Sequence, residues 1–355
     1  MQRIAIIDIG SNSARLVISH IYKSGAYNMV YNQKEALRLS QKVDDTNMLT
    51  EEAFASTIDT MRSFAHMCKV YQADKTIAVA TAAIRNASNG AELVAKVAEE
   101  TGIQLHIISG KTEAYISYLG VINTLDVKNG IIFDLGGGST ELILFKNRKL
   151  VESVSVPLGA VNTTGMFNIR NEMAPNVYND LCAFIMSRLN QYPWLKQNGA
   201  LPLIGVGGTA RTVAKIIQRS KKYPATKIHN YAYPMQTFRS FFNKLRLTNL
   251  EQRKKISGLS SERSDIILAG SSIIGCLLEA TGAKKLITSG CGLREGLFYD
   301  YYSKSNNVPI IAKNILERSR ENTLRLFESD TNHARHITKL ALAMFDGWME
   351  LHKVR

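Results

Sequence analysis

Short apolar runs separated by polar turns dominate the start of the chain and predict three strands at 3–9, 16–21 and 27–33. Apolar residues at helical spacing, with Thr50 available as an N-cap, then predict a helix over 51–69. The same reasoning predicts further strands at 76–80 and 103–108 and further helices at 91–101 and 111–121. This region is therefore expected to be an α/β domain that begins with a strand meander.

The pattern then restarts with three more strands at 130–135, 139–145 and 150–157. Behind them we expect a helix at 176–190, a strand at 202–206, a helix at 209–219, helices between 236 and 281, and a strand at 285–289. An offset of 126 residues places Asp8, Gly10 and Ser13 over Asp134, Gly136 and Ser139. The sequence thus predicts two related α/β domains, 1–123 and 124–300, that face each other across a cleft. A helix near 293–306 is expected to complete the first domain, and a helical extension is expected over 307–355.

Composition narrows the class of protein. The 355 residues are 45% hydrophobic and 21% charged, which suits two globular domains and argues against a disordered chain. The longest apolar stretch, 266–280, is interrupted by Gly, Ser and Glu279, so a membrane span of about 18 apolar residues is not expected. Four cysteines without a Cys-x-x-Cys pair favour reduced thiols, a cytoplasmic location and no zinc site.

The charge is concentrated in one part of the chain. The net charge is +14, and the segment 211–255 contains 12 basic residues and one acid, Glu251. Such a run indicates either a polyanionic partner or a solvated basic face. Patterns typical of specific nucleic-acid binding, such as a helix-turn-helix or a zinc finger, are not found. The residues predicted to form a polyanion track are Arg211, Lys215, Lys221, Lys222, Arg253, Lys254 and Lys255.

The turn from Asp134 to Glu141 contains Gly136, Gly137 and Gly138 followed by Ser139. Glycines let backbone N–H groups approach phosphate oxygens closely, whereas a plain hairpin turn would not need three of them. A carboxylate beside bound phosphate is repelled unless a cation lies between them. Asp134 and Glu141 therefore predict a hard divalent ion, most simply Mg²⁺.

Three further features have both a functional and an ordinary interpretation. The glycine-rich run 205–209 precedes a helix and suits an anion, although it also suits an ordinary helix entry. Arg85 follows an apolar strand and can either clamp a phosphate or form a surface ion pair. Glu113 lies in the first turn of a helix that Ser109 can cap, where an acid also favours the helix dipole.

These short motifs, taken in order, resemble the exopolyphosphatase and guanosine pentaphosphate phosphatase family, within the actin, Hsp70 and sugar kinase fold superfamily. The resemblance covers roughly residues 1–305 and rests on the order and spacing of the motifs. The matching runs are Asp8-Ile-Gly-Ser-Asn-Ser13, Ala80-Thr-Ala-Ala-Ile-Arg85, Ile108-Ser-Gly-Lys-Thr-Glu113-Ala, Asp134 to Glu141, Gly205-Val-Gly-Gly-Thr209, Glu262-Arg-Ser-Asp265 and Leu293-Arg-Glu-Gly296.

The resemblance implies two duplicated ribonuclease-H-like (actin-like ATPase) domains and a role for each matched residue. Glu113 would be the general base that activates water, and Asp134 and Glu141 would bind Mg²⁺ or Mn²⁺. The phosphate-binding positions would be Asn12, Ser13, Arg85, Gly136, Gly137, Gly138, Ser139, Gly207, Gly208 and Thr209.

The implied reaction is hydrolysis of the terminal phosphate of inorganic polyphosphate. The alternatives are hydrolysis of guanosine pentaphosphate, with guanosine tetraphosphate as a related ligand, and a sensor that binds such ligands without turnover. The resemblance also implies a homodimer. In the extension, His333 to Asp346 resembles the first helix of a helical domain that long family members append. The sequence ends before the His-Asp pair of that domain, so a second metal phosphohydrolase site is not expected.

Overall fold

The computed structural model describes residues 1–198, 201–327 and 330–353. Of the predicted extension, residues 328, 329, 354 and 355 lie outside this part of the chain. The first sheet has the strand order β3-β2-β1-β4-β5. Its strands are β1 (Gln2–Ile9), β2 (Ala14–Ile21), β3 (Tyr27–Glu35), β4 (Lys75–Ala80) and β5 (Leu105–Ile107).

The second sheet has the order β10-β11-β9-β6-β7-β8. Its strands are β6 (Gly130–Leu135), β7 (Thr140–Lys146), β8 (Lys149–Val156), β9 (Leu203–Val206), β10 (Tyr231–Pro234) and β11 (Lys285–Thr288). Each sheet contains an antiparallel three-strand meander whose first strand also forms parallel pairs, in the orders β1–β4–β5 and β6–β9–β11. The second sheet has one more edge strand, β10, antiparallel to β11. This shared topology confirms the predicted fold class of two duplicated α/β domains, while the exact domain boundaries remain a prediction.

The helices follow the predicted order with small changes at their ends. They are α1 (Glu51–Val70), α2 (Ala82–Asn86), α3 (Gly90–Thr101), α4 (Gly110–Ile122), α5 (Ala160–Met166), α6 (Pro175–Leu189), α7 (Trp194–Gln197), α8 (Gly207–Ser220), α9 (Met235–Leu245), α10 (Leu250–Lys254), α11 (Ile267–Thr281), α12 (Leu293–Asn306), α13 (Ile315–Leu326), α14 (Thr331–Gly347) and α15 (Met349–His352). The predicted cap of α1 is confirmed, because the Thr50 side chain accepts a hydrogen bond from Ala53 N.

Four short elements were not predicted, namely α2, α5, α7 and β10. They span four to seven residues, too few for an apolar period to be recognised. β10 also ends in Pro234, which suits its position at the sheet edge but weakens its sequence signal. The apolar stretch 266–280 forms α11, which is buried in the core of the second domain. Within the described residues, no helix combines the length and apolar character that crossing a membrane requires.

Helices α4 and α12 pack against each other and share a core with both sheets. Ile6 of the first sheet and Ile204 of the second belong to the same buried cluster as Leu119 of α4 and Leu297 of α12. Because α4 lies between the two sheets, it is buried on nearly every face. The expected helix at 293–306 is thus confirmed, and it lies between the two sheets.

Glycines allow the backbones of α4 and α12 to touch. A Cβ at Gly120 would overlap the carbonyl of Gly292, and a Cβ at Gly296 would overlap the carbonyl of Ile116. Both glycines have ordinary helical dihedral angles, so the requirement is close approach rather than an unusual conformation. The two helices therefore cross with no side chain between them at this point.

The predicted helical extension is confirmed for the residues that the structure describes. Its first helix, α13, is attached to the first sheet, since the Asn322 side chain accepts from Tyr27 N (2.8 Å) and donates to Tyr27 O (2.9 Å). Arg318 donates to Asn123 Oδ1 (3.0 Å), which ties α13 to the end of α4. The following helix, α14, is mostly exposed.

Candidate functional site

The two predicted turns have the same backbone conformation. In the first, Gly10 N donates to Ser13 O (3.1 Å), and in the second, Gly136 N donates to Ser139 O (2.9 Å). These residues are related by the offset of 126 found in the sequence. The turns follow equivalent strands, β1 and β6, at the same edge of each sheet. The duplication therefore places one potential phosphate-binding turn on each side of the cleft.

Close contact between the turns explains the run of three glycines. A Cβ at Gly137 would lie 2.9 Å from the Cβ of Ser11, and one at Gly138 would lie 2.9 Å from Ser11 Oγ. A Cβ at Gly159, at the start of α5, would overlap the carbonyl of Gly137. Backbone from three segments therefore meets here, and side chains would separate them.

A third glycine-containing turn lies where β9 ends at Val206 and α8 begins at Gly207. Gly207 has a φ of 90°, a left-handed conformation that glycine adopts readily. Gly208 and Thr209 follow in the first turn of α8, and all three line the cleft. The first N–H groups of a helix have no intrahelical acceptor, so this end of α8 suits an anion.

Glu113 lies at the start of α4, where the sequence predicted it. Ser109 Oγ caps this helix by accepting from Thr112 N (3.1 Å). The Glu113 side chain lines the cleft, and the residue is only 8% exposed. Arg85 Nη1 donates to Glu113 Oε2 (2.8 Å) and to Ile108 O (2.9 Å). Arg85 therefore contacts the carboxylate from behind, and it is not among the residues that line the cleft.

The surroundings of Glu113 favour a carboxyl group that can exchange a proton near neutral pH. Burial raises the pKa of Glu113 to about 7, and the negative charges of Asp134 and Asp8 act in the same direction. The hydrogen bond and charge of Arg85 oppose this shift of the pKa. A base with a pKa close to the working pH is well suited to general-base catalysis.

Asp134 and Glu141 are directly opposite each other on the paired strands β6 and β7. Asp134 lines the cleft and accepts a hydrogen bond from Ser117 Oγ. Glu141 is buried behind the glycine turn, where its Oε1 accepts from Ser139 Oγ (2.9 Å) and Ser155 Oγ (2.7 Å). Burial raises the pKa of both carboxyl groups, and the charge of Asp134 raises that of Glu141 further.

The pair of carboxylates, Asp134 and Glu141, suits a divalent cation, but it supplies only part of the coordination that such an ion needs. Two buried, mutually repelling carboxylates offer the oxygen ligands that Mg²⁺ prefers, and a cation would relieve their repulsion. Among the described residues, however, no three His, Cys, Asp or Glu side chains converge into a metal-binding group. An ion at Asp134 and Glu141 would complete its coordination with water and substrate oxygens, as Mg²⁺ commonly does.

Within the described residues, four arginines line the cleft, which is more than the sequence predicted. Arg15, Arg263 and Arg294 had no predicted role, and Arg211 was predicted to belong to the polyanion track. Burial, reinforced by the neighbouring guanidinium charges, lowers the pKa of Arg15 to about 10. Asp8, Ser11 and Glu295 are further lining residues without a predicted role. Most of these residues lie within the sequence motifs that match the family, and this membership was the signal from which a role in the cleft could have been predicted.

One of these arginines has an unused hydrogen-bond donor. Nη1 of Arg294 is buried and has no acceptor among the residues that the structure describes. A buried donor without a partner destabilises the fold unless a bound group satisfies it. Together with the α8 N-terminus, this donor indicates that the cleft is organised for an anion. The cleft, including its open mouth, has a volume of about 910 Å³.

The predicted polyanion track is only partly exposed. Lys215, Lys221, Lys222, Lys254 and Lys255 are exposed, although Lys254 pairs with Glu251 (2.6 Å). Arg253 was wrongly included, because it is fully buried. Its guanidinium donates to the carbonyls of Ser264 (2.9 Å), Arg170 (2.7 Å) and Asn171, so it joins segments of the second domain.

Fold and site together define a two-domain α/β protein with an arginine-lined cleft between two glycine-containing turns. Residues 17–305 match the Ppx/GppA phosphatase family, and the chain therefore belongs to that family. The crystal structure of the Aquifex aeolicus member is 30% identical, with a TM-score of 0.74 over 86% of this chain and 99% of that one. An exopolyphosphatase structure from Cytophaga hutchinsonii is 23% identical, with a TM-score of 0.80 over 88% and 100% of the two chains.

Two curated relatives differ in how much of their length is matched. A bifunctional 3-dehydroquinate synthase/phosphatase of Fusobacterium nucleatum is 29% identical over 303 residues, which are 80% of this chain and 44% of that protein. The chain thus spans less than half of that relative. A Haemophilus influenzae protein with a provisional exopolyphosphatase name is 24% identical over 302 residues, 84% of this chain and 91% of that protein.

Proposed function

We propose that the protein is an exopolyphosphatase that hydrolyses the terminal phosphate of inorganic polyphosphate with the help of Mg²⁺ or Mn²⁺. The observation that carries this proposal is the position of Glu113, a buried carboxylate with a raised pKa that lines an arginine-rich cleft between two glycine-containing turns. A phosphohydrolase needs a base for water and positive charge for phosphate, and the cleft has both.

In the proposed reaction, a water oxygen attacks the terminal phosphorus and Glu113 accepts the water proton. The bond from phosphorus to the bridging oxygen breaks, which releases orthophosphate and leaves a chain shortened by one unit. General-base assistance of this kind contributes about 10²–10⁴-fold. Arg85 orients the Glu113 carboxylate through its hydrogen bond, so the proton-accepting oxygen is held in place.

Charge on the phosphate is balanced mainly by the residues of the cleft. The guanidinium groups of Arg15, Arg211 and Arg294 can bind the phosphate oxygens, together with the N–H groups of the turn 136–138 and of the α8 N-terminus. A divalent ion held by Asp134 and Glu141 would neutralise charge that develops on the phosphoryl oxygens.

A basic stripe on α8 favours a long polyanion over a nucleotide. Arg211 lines the cleft, while Lys215 and Arg219 follow at four-residue intervals on the same helix face and are exposed. From Arg211 to its end at Ser220, this helix extends about 14 Å away from the cleft. Polyphosphate could follow this stripe, with Lys221 and Lys222 at its far end.

The names of two relatives support the proposal, since the Haemophilus protein is provisionally an exopolyphosphatase and the Fusobacterium protein includes a phosphatase activity. A cytoplasmic location, a homodimer and the absence of specific nucleic-acid binding belong to the same proposal. Guanosine pentaphosphate hydrolysis would use the same catalytic groups, and a sensor without turnover would use the same anion-binding groups.

Phosphate release from long-chain polyphosphate and from guanosine pentaphosphate, measured in parallel with Mg²⁺ at several salt concentrations, tests the proposal. We expect faster release from polyphosphate, with an affinity that falls steeply as salt rises. Preference for the nucleotide would instead indicate an alarmone phosphatase. Binding of either ligand without phosphate release would indicate a sensor.

A further inference from the structure

Arg263 is in a position to bind an anion, and within the described part of the chain its guanidinium group forms no hydrogen bond or ion pair. It lines the cleft against Gly208, where a Cβ would overlap the guanidinium group. Acidic residues flank it in the sequence at Glu262 and Asp265. An arginine between two acids would ordinarily pair with one of them.

Both flanking acids instead pair with residues of the first domain. Lys34 Nζ lies 2.5 Å from Glu262 Oε2, and Arg38 Nη1 lies 3.5 Å from Asp265 Oδ2. Arg38 also donates to the backbone carbonyl of Glu262 (3.1 Å). We call these contacts the interdomain ion pairs. They pair both carboxylates with cations of the first domain. Neither carboxylate forms an ion pair with Arg263, although the charges of both still raise its pKa against the lowering effect of burial.

On the first-domain side, the pairs are attached to the phosphate-binding turn. Arg38 N donates to Asn12 O, and Ser40 N donates to Ser11 O, both at 3.1 Å. Arg38 has a φ of 52°, a left-handed conformation that is costly for a residue with a side chain. Strain of this kind is maintained only when surrounding contacts fix it, which suits a residue whose side-chain direction matters.

On the second-domain side, the segment that carries Arg263 is held from beneath. The buried Arg253 guanidinium donates to the carbonyl of Ser264 (2.9 Å). The acids of this segment are therefore fixed by the first domain, and its backbone is fixed by the second. Arg263, which lies between them, keeps its donors directed into the cleft.

We propose that Lys34 and Arg38 are positioning residues that hold Glu262 and Asp265 away from Arg263, so that Arg263 remains available for the anionic substrate. Without Lys34, the Glu262 carboxylate would be free to turn back and neutralise Arg263. The inference rests on the proposed function for its substrate, but it concerns residues that contact no reacting atom.

The test compares Lys34→Met, Glu262→Gln and the double variant, with Lys23→Met as a matched control at an exposed turn. We expect Lys34→Met to raise the KM for polyphosphate about fivefold with little change in kcat, as an ion-pair effect of ordinary size. The double variant should return close to the wild-type KM, because the neutral amide that replaces the Glu262 carboxylate no longer competes for Arg263. Glu262→Gln alone and Lys23→Met should remain near wild type.

A purely structural role for the Lys34–Glu262 pair makes the opposite prediction, since either single change would then be as harmful as the double change. That pattern, or a KM in Lys34→Met no higher than in Lys23→Met, would overturn the proposal. Thermal unfolding of each variant identifies any general loss of stability.

Calorimetric binding of inorganic tripolyphosphate provides a readout that does not need turnover. If the wild type releases no phosphate but the four variants show the same ranking in Kd, the proposed hydrolysis fails and this inference stands. If the wild type does not bind tripolyphosphate at all, the anion-binding role of Arg263 is overturned.

Discussion

The two duplicated turns share the same backbone hydrogen bond but differ in the charges of the residues that flank them. In the first, Asp8 on β1 is directly opposite Arg15 on β2. In the second, the equivalent partners are Asp134 on β6 and Glu141 on β7. The first turn is therefore flanked by an acidic and a basic residue, whereas the second is flanked by two acidic residues.

This difference shows how one duplicated unit can acquire two tasks. Burial raises the pKa of Asp8 to about 6, and the charges of Arg294 and Arg15 oppose this rise. Burial also raises the pKa of Glu141, but there the neighbouring charges of Glu113 and Asp134 raise it further, and only hydroxyl groups oppose them. The acid of the first turn therefore has arginines beside it, whereas Glu141 in the second has further carboxylates whose repulsion a cation can relieve.

Replacing Glu113 tests whether this carboxylate, which lies near the two acids of the second turn, is the catalytic base. Glu113→Gln keeps the size of the side chain but removes proton acceptance, so we expect kcat to fall by about 10²–10⁴-fold. Binding of polyphosphate should be retained. Steady-state phosphate release and calorimetric binding measure the two effects, with Glu99→Gln on the exposed face of α3 as the control. Unchanged turnover in Glu113→Gln would sink the catalytic assignment.

Matched changes at the two equivalent acids test the comparison directly. Asp134→Asn should lower kcat/KM by about 10²–10³-fold and raise the Mg²⁺ concentration needed for half-maximal rate. Asp8→Asn should cause a smaller loss and leave the Mg²⁺ requirement unchanged, because the charges of Arg294 and Arg15 already offset the charge of that acid. Magnesium titrations of both variants provide the measurement. An equal Mg²⁺ shift in the two variants would mean that the turns are not functionally distinct.

The pH profile tests how Arg85 controls the base. Glu113 must be ionised to accept a proton, so the rate should fall as the pH drops through its pKa of about 7. Because Arg85 lowers this pKa, Arg85→Gln should move the acidic limb of the kcat profile upward by about one pH unit. The measurement is kcat from pH 5 to 9 at saturating Mg²⁺. Arg62→Gln, at an exposed ion pair, should leave the limb in place.

The smallest expected effect concerns stability at the buried acid of the second turn. Burial raises the pKa of Glu141 in the folded state, so ionising this carboxyl group destabilises the fold. The loss of stability grows as the pH rises above the pKa that Glu141 has in the unfolded chain. In EDTA at pH 8, Glu141→Gln should therefore raise the free energy of unfolding by about 1 kcal/mol.

Urea unfolding at pH 5 and pH 8 distinguishes this effect from a general change in packing, since the gain should be smaller at pH 5. Added Mg²⁺ should stabilise the wild type more than Glu141→Gln, because the ion binds only the folded state. Glu152→Gln, at an exposed position on β8, is the control. Equal stabilisation by Mg²⁺ in all three proteins would contradict a metal site at Glu141.

The sequence was most informative where function and local pattern coincide. The duplicated Asp-x-Gly turns could be recognised because strand, glycine and serine recur at a fixed offset. Glu113 could be placed because Ser109 marks the start of its helix. These features depend on a few neighbouring residues, so a single sequence is enough to find them.

Features that depend on distant segments could not be found in this way. Arg263 and Arg294 reach the cleft from segments far along the chain, and the pairing of Lys34 with Glu262 joins residues 228 positions apart. Arg253 was placed on an exposed surface because counting charges does not distinguish a solvated arginine from a buried one that donates to three backbone carbonyls.

The crossing of α4 and α12 limits how these two helices can move against each other. Because Gly120 and Gly296 bring main chain directly against main chain, sliding one helix along the other would force side chains into a space that holds none. The crossing lies beside Gly292, one of the residues that line the cleft. A side chain at Gly120 would therefore displace backbone at the edge of the candidate site.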